Sequence, residues 1–252
     1  MKVRRLDVVF LLVLGTLLMT ACMPIPAALG GRYMVQGSGS VIAEDRPVSG
    51  FDRVSLRDIG LVILTQGDED ALTVETDDNL LPFVRTEVRD RTLVLSFGDE
   101  TGQASLKTSH GIKYYLTVQE IAGLEVAGSG NLQAASLDVD HLEIVVRDSG
   151  DLEVDWLEAR TLEARISDSG DAELAGQVQT QDLTVRDSGD YIAGELHSQA
   201  DTAVVSDSGE ATLWTSEVLE VTISDSGDVN YYGHPTIRQR ITDSGKLTSL
   251  GE

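Results

Sequence analysis

Short alternations of apolar and polar residues, each ending at a glycine-containing turn, recur along the second half of the chain. The triplet Asp-Ser-Gly occurs six times, and Gly128-Ser129-Gly130 stands one step before the first copy. The spacings between successive triplets are 20, 20, 19, 20, 18 and 18 residues, a regularity that indicates a structural repeat. The Asp residues that begin the six triplets are Asp148, Asp168, Asp187, Asp207, Asp225 and Asp243.

The residues that precede each triplet alternate with a period of two. The position two residues before the triplet is aliphatic in every repeat: Val126, Val146, Ile166, Val185, Val205, Ile223 and Ile241. The position four residues before it is apolar in all but the last repeat: Leu124, Ile144, Ala164, Leu183, Ala203, Val221 and then Gln239. This period predicts a strand with one buried face. A second short strand follows each triplet, as in Leu152-Glu153-Val154.

A repeat of 18–20 residues is too small to bury its own apolar side chains. Successive repeats can bury them by stacking in register, because each aliphatic position then forms a continuous interior column. We therefore predict an all-β solenoid whose coils lie ~4.8 Å apart.

The first half of the chain also predicts strands, but without a repeat. Apolar alternations at residues 54–56, 61–64, 72–74, 92–95 and 113–118 are separated by turns rich in Gly, Asp and Asn. Composition does not change near residue 120. We expect one β domain over residues 40–252, with an irregular N-terminal part at 40–120 and regular Asp-Ser-Gly coils at 121–252.

The N-terminal segment has the features of a lipoprotein leader. A basic start and a short apolar run lead to Met19-Thr20-Ala21-Cys22, which resembles a bacterial lipobox. We predict a cleaved signal peptide at residues 1–21, lipidation of Cys22, and a flexible linker over 22–39. An ordinary signal peptide with an incidental cysteine is the alternative. Cys22 is the single cysteine of the chain, so no intramolecular disulfide can form. The prediction is an extracytoplasmic lipoprotein anchored to a membrane of the cell envelope.

Four motifs in the first half, in this order, resemble the bacterial auto-transporter adhesin, head GIN domain family, a domain family of unknown function. They are Phe51-Asp52-Arg53-Val54, Leu61-Val62-Ile63-Leu64-Thr65-Gln66-Gly67, Thr76-Asp77-Asp78-Asn79-Leu80-Leu81 and Thr92-Leu93-Val94-Leu95. The resemblance covers about residues 40–250 and includes the turn at Gly128. It implies a single-stranded, right-handed β-helix on a secreted or lipid-anchored envelope protein, with no established enzymatic activity. This chain differs in that most of its later turns carry Asp-Ser-Gly where the family pattern leads one to expect Gly-Ser-Gly.

The charge of the chain excludes one class of partner. There are 42 Asp and Glu against 19 Lys and Arg, a net charge of −23, whereas nucleic-acid binding needs a basic face. The sequence from Leu124 onward contains 26 carboxylates and only seven Lys and Arg residues. An anionic polysaccharide would be repelled by such a surface.

Catalytic motifs are not evident. The carboxylates recur identically in every coil, whereas a catalytic site is a singular feature. The histidines, His110, His141, His197 and His234, have no metal-ligand spacing. We expect no enzymatic activity and no cofactor. A polysaccharide-acting enzyme is the less favoured hypothesis.

Two interpretations of the Asp-Ser-Gly columns stay open. In the structural one, Asp accepts local hydrogen bonds, Ser adds another, and Gly supplies the positive φ of the turn. In the other, Ca²⁺ bridges the carboxylates of Asp148, Asp168, Asp187, Asp207, Asp225 and Asp243 between coils. Parity would point these side chains inward, so we predict a bend that carries them to a corner, because a buried carboxylate column is very costly.

Five aromatic residues of the repeat region have two possible roles. Trp156, Trp214, Tyr191, Tyr231 and Tyr232 either form a surface for a sugar or protein partner, or fill corners and cover the end of the helix. Together these features predict a non-catalytic, adhesin-like structural or interaction module, with an envelope protein or glycan as partner. A Ca²⁺-binding solenoid is the alternative.

Overall fold

The structure is a computed structural model that describes residues 33–98 and 104–251, which fold almost entirely into β-strands. The predicted signal peptide, Cys22 and the first part of the linker lie outside the described residues. One short 3-10 helix, Leu81–Phe83, interrupts the strands of the described chain. No helix in these two ranges is long and apolar enough to cross a membrane.

Within the described residues, nine strands and the 3-10 helix make up the first half. The strands are β1 Tyr33–Gln36, β2 Val41–Arg46, β3 Arg53–Leu56, β4 Leu61–Gln66, β5 Ala71–Asp77, β6 Val84–Arg89, β7 Thr92–Phe97, β8 Ala104–Lys107 and β9 Lys113–Val118. The second half continues with β10 Gly123–Val126, β11 Asn131–Ala134, β12 Leu137–Val146, β13 Asp151–Ile166, β14 Asp171–Val185, β15 Asp190–Val205, β16 Glu210–Ile223, β17 Asp228–Tyr232, β18 Thr236–Ile241 and β19 Lys246–Gly251.

From β10 onward every coil pairs in parallel with the next, which confirms the predicted all-β solenoid. The aliphatic position two residues before the triplet stays in register from Val126 through Val146 and Ile166 to Ile223. These side chains are fully buried, and each contributes about 1.5–3 kcal/mol through burial. Ile241, in the last coil, is 37% exposed, so the interior column ends one coil earlier than predicted. The buried columns form the core of the solenoid.

The turn at each triplet confirms the predicted bend but corrects the assignment of its residues. Asp148, Asp168, Asp187, Asp207, Asp225 and Asp243 all have φ between 59° and 66°, and all are exposed. The prediction that Gly supplies the positive φ was wrong: Asp adopts the left-handed conformation, which short polar side chains tolerate. In the first turn Gly128 holds this place, with φ 98°.

Glycine is required in the triplet for close packing between coils. A Cβ on Gly170 would lie 2.6 Å from Val146 Cγ1 and 2.9 Å from the Gly150 carbonyl oxygen of the preceding coil. Serine contributes its backbone to the same stack, because the Ser169 N–H donates to the Asp148 carbonyl at 2.8 Å. This bond recurs from coil to coil. The triplet is thus a stacking element as well as a turn.

The first half does not stack in chain order. Strand β3 pairs in parallel with β7 on one side and β10 on the other, and β4 pairs with β9 and β11. The coil formed by β3 and β4 therefore lies between two coils that follow it in sequence. Antiparallel pairs β2–β5, β5–β9 and β6–β7 cover the end of the described structure at which β7 and β9 lie.

Candidate functional site

An open groove of about 840 Å³ crosses strands β13 to β17 on the outside of the solenoid. Two in-register columns line it. One column runs Glu153, Glu173, Ile192, Thr212 and the other runs Gln177, His197, Trp214, Tyr232. Val154, Asp155, Trp156, Leu174, Ala175, Gly176, Gly194 and Glu195 complete the lining. Its volume is within the range of small-ligand sites.

The groove forms where the coils differ in length. Between β15 and β16 the register jumps from Ile192 opposite Thr212 to His197 opposite Trp214, so four residues face the single residue Leu213. A smaller shift between β13 and β14 sets residues 155–156 opposite Ala175. Such bulges bend the strand and redirect side chains. The extra residues form the walls of the groove.

Aromatic rings supply much of the surface of the groove. The His197 and Trp214 rings stack with centroids 4.1 Å apart and an interplanar angle of 11°. Trp156 is 48% exposed. Tyr232 reaches back across two coils, because a Cβ on Gly194 would lie 3.1 Å from Tyr232 Cε2. Gly194 therefore leaves the space that this ring occupies.

The five aromatic residues divide between the two roles that the sequence left open. Trp156, Trp214 and Tyr232 line the groove, as a partner surface requires. Tyr191 is fully buried and donates a hydrogen bond to Gln181 Oε1 at 2.8 Å, and Tyr231 packs partly buried against the core. The latter two therefore act as core residues.

The groove is acidic. Glu153, Asp155, Glu173 and Glu195 line it, and no arginine or lysine is among the described residues that do so. Cations of the repeat region pair with carboxylates elsewhere: Arg147 with Glu125, Arg160 with Asp140, Arg165 with Glu143 and Glu163, and Arg238 with Glu220. The excess negative charge found in the sequence is thus concentrated in part around an aromatic surface.

A buried polar cluster lies behind the wall formed by His197 and Trp214. Ser198 Oγ donates to the Trp214 carbonyl at 3.0 Å, and the Thr215 hydroxyl donates to Asp201 Oδ2. Asp201 is only 3% exposed, and no described residue forms a hydrogen bond with its Oδ1 atom. Burial raises the pKa of Asp201 from 3.8 to about 6, although the nearby hydroxyls of Ser198 and Thr215 oppose the shift.

The Asp residues proposed as Ca²⁺ ligands lie one per coil on the exposed turns. The Asp148 carboxylate accepts a hydrogen bond from the Gly128 N–H at 3.1 Å, and Ser167 and Ser206 donate to the carboxylates of Asp168 and Asp207. Within residues 33–98 and 104–251, no group of three or more His, Cys, Asp or Glu side chains is arranged to hold a metal ion. What the described contacts show for these Asp side chains is local hydrogen bonding at the turns.

A second, mostly acidic column follows the triplets in register from coil to coil. Asp151, Asp171, Asp190, Glu210, Asp228 and Lys246 pair in order. Partial burial, followed by the charge of Asp171, raises the pKa of both Asp151 and Asp190. The like charges of this column therefore repel one another, and only its last member is a cation.

The sequence did not identify Glu153, Glu173, Ile192, Glu195 or His197 as residues of a common site. Alignment on the triplets hides them, because they lie in the part of the coil whose length varies. The signal that points to them is the change in spacing from 20 to 19, back to 20 and then to 18 residues. Coils of unequal length must leave register somewhere, and a bulge at that point is a frequent location for a binding site.

The comparisons with known proteins place the chain in a family. The sequence model described as "putative auto-transporter adhesin, head GIN domain" matches residues 50–235. The chain belongs to this family. The match to the head GIN domain confirms the resemblance found in the motifs, and it covers the groove, the triplet turns up to Asp225 and most of the non-sequential first half. No curated protein matches the chain.

Solved structures share the fold of this head GIN domain. A putative adhesin from Bacteroides fragilis aligns with a TM-score of 0.76 at 24% identity, over 86% of this chain and 100% of the other. A protein from Parabacteroides distasonis described as a putative lipid binding protein gives 0.71 at 20% identity over 86% and 100%. A putative adhesin from Parabacteroides merdae gives 0.70 at 18% identity over 86% and 99%. At these identities the likeness establishes the fold alone.

Proposed function

We propose that this head GIN domain is a non-catalytic binding module of the cell envelope, which presents the groove across β13–β17 to an envelope protein or glycan. The observation that carries the proposal is an open groove lined by Trp156, Trp214 and Tyr232. Aromatic side chains with a polar edge are enriched at binding surfaces, because they bury large area at low entropic cost. The adhesin-like family assignment supports the same conclusion.

Lipidation of Cys22 would tether this module to a membrane. The lipobox-like residues at 19–22 support that part of the proposal. A single acyl chain gives only marginal membrane binding, and stable anchoring requires more than one chain. Mass spectrometry of the mature protein tests the anchor: a mature N-terminus at Cys22 that carries diacylglycerol is expected. A mature chain without lipid would contradict it.

Binding of the full-length chain to isolated bacterial envelopes tests the role of the groove. Trp214→Ala with Trp156→Ala should lower the bound amount at least about tenfold, since aromatic residues at the centre of an interface commonly contribute 2 kcal/mol or more. Tyr115→Ala is the matched control, because Tyr115 is an exposed aromatic on β9 outside the groove. Equal binding by the groove variant and the control would contradict the proposal.

The absence of catalysis is proposed on the same geometry. Glu153 and Glu173 occupy equivalent positions in adjacent coils, and the family description names adhesion rather than an enzymatic reaction. A panel of polysaccharides incubated with the full-length chain should show no cleavage. Turnover lost on changing one groove carboxylate would overturn this part of the proposal.

A further inference from the structure

We propose that the occupant of the groove is a basic polypeptide segment, whose Arg or Lys side chains lie between the acidic column and the aromatic rings. This inference rests on the proposed function and specifies its ligand. It is carried by charge complementarity: Glu153, Asp155, Glu173 and Glu195 line the groove, and no Lys or Arg among the described residues balances them there.

A neutral ligand fits this lining poorly. Closing a sugar or an apolar segment over four carboxylates would remove water from them without supplying an opposite charge, and burial of unpaired charge is costly. A guanidinium or ammonium group supplies both the charge and several hydrogen-bond donors. Four arginines of the repeat region do not balance this charge, because they pair with Glu125, Asp140, Glu143, Glu163 and Glu220 elsewhere.

The aromatic rings fit the same ligand. A cation over the face of a Trp ring gains about 0.5–1 kcal/mol at an exposed site, and Arg is the commoner partner. One face of Trp214 is covered by His197, so the ring is held in place rather than free to rotate. Trp156 lies on the bulge in β13 and is exposed. The acidic and aromatic side chains therefore line the same groove.

The dimensions of the groove fit an extended chain. It crosses five strands, β13 to β17, which at ~4.8 Å between strands gives a length of about 19 Å. An extended peptide rises ~3.3 Å per residue, so about six residues fill the groove. Alternate residues of such a peptide point to the same side, and three basic side chains can then face the carboxylates.

Fluorescence anisotropy with the full-length chain tests the inference. The probes are a labelled peptide of about twelve residues that alternates Arg and Gly, the same peptide with Glu for Arg, and labelled chitohexaose. The matched variants are Glu173→Gln/Glu195→Gln in the groove and Asp168→Asn/Asp187→Asn on the turns. Both remove two negative charges, and Asn tolerates the left-handed conformation of the turn. Melting curves establish that both variants remain folded.

We expect the Arg peptide to bind, and the groove variant to weaken it about tenfold, as lost charge-assisted hydrogen bonds do. The turn variant should weaken it less than about twofold, because exposed distant charges are screened. Equal weakening in both variants, or no peptide binding, overturns the inference. Chitohexaose binding that Trp214→Leu abolishes overturns it too, but leaves the proposed function standing. If the groove variants also fail to alter binding to envelopes, the proposed function itself is wrong.

Discussion

Asp201 is a buried carboxylate whose ionisation costs stability near neutral pH. It lies on β15, where one oxygen accepts a hydrogen bond from Thr215 and the other has no partner among residues 33–98 and 104–251. Replacing Asp201 with Asn removes the charge and keeps a side chain of nearly the same size, with an oxygen that can accept from Thr215. We therefore predict that Asp201→Asn stabilises the protein at neutral pH and has little effect at acid pH.

The magnitude follows from the pKa of Asp201. Burial raises it from 3.8 to about 6, and a shift of about two units corresponds to ~3 kcal/mol. Because the folded-state pKa exceeds the unfolded one, the protonated state stabilises the fold below pH 3.8, and this stabilisation is lost as the pH rises through 6. The stability difference between Asp201→Asn and the parent chain should thus grow by about 2–3 kcal/mol between pH 4 and pH 8.

Urea unfolding of both proteins at several pH values measures this difference directly. Subtracting the two curves cancels every titration that the proteins share. Asp207→Asn is the control, since it removes an exposed carboxylate on a turn and leaves the buried cluster unchanged. A flat difference curve for Asp201→Asn, with less than about 0.5 kcal/mol of change, would show that the buried environment of Asp201 does not disfavour the charge.

Three further predictions concern the triplet turns. Gly170→Ala should destabilise the chain by about 1–3 kcal/mol in urea unfolding, because the new Cβ meets Val146 Cγ1 and the Gly150 carbonyl; an unchanged midpoint would refute the packing role of Gly. Asp168→Val should lower the free energy of unfolding by more than about 1 kcal/mol, because a β-branched residue is disfavoured at φ 65°. Asp168→Gly should leave this free energy nearly unchanged, and equal losses for the two variants would argue against the left-handed turn. The melting temperature with millimolar Ca²⁺ should match that with chelator; a rise of about 3 °C or more that Asp187→Asn/Asp207→Asn removes would instead establish Ca²⁺ binding.

The regular part of the fold could be predicted because stacking repeats the same environment at a fixed period. Val146 and Ile166 occupy equivalent positions in adjacent coils, so one alignment on the triplet located the buried columns. The sign of φ within the triplet was assigned to the wrong residue, because Asp and Gly both tolerate the left-handed region. The need for Gly is visible only in the structure, where a Cβ on Gly170 would lie 2.6 Å from Val146 Cγ1.

The groove and the coil order could not be predicted in the same way. The groove depends on where the register slips between Ile192 and His197, and a slip is decided by the fit of neighbouring coils rather than by either coil alone. Trp156, Trp214 and Tyr232 were visible in the sequence as candidates for a partner surface, but the acidic residues beside them were not recognised as part of the same site. Ile241 was predicted as core, but it is 37% exposed, because among the described strands its own strand β18 pairs only with β16.

The central place of the coil formed by β3 and β4 bears on how the molecule assembles. Both of its edges are completed by strands synthesised later, β7 and β9 on one side and β10 and β11 on the other. It can therefore act as a template that grows in both directions, towards the antiparallel end and towards the repeats. A chain emerging from its N-terminus must keep these two edges unpaired until the later strands arrive, which raises the sequence separation of the earliest contacts and slows folding. The repeats can then add one coil at a time on a surface that is already formed.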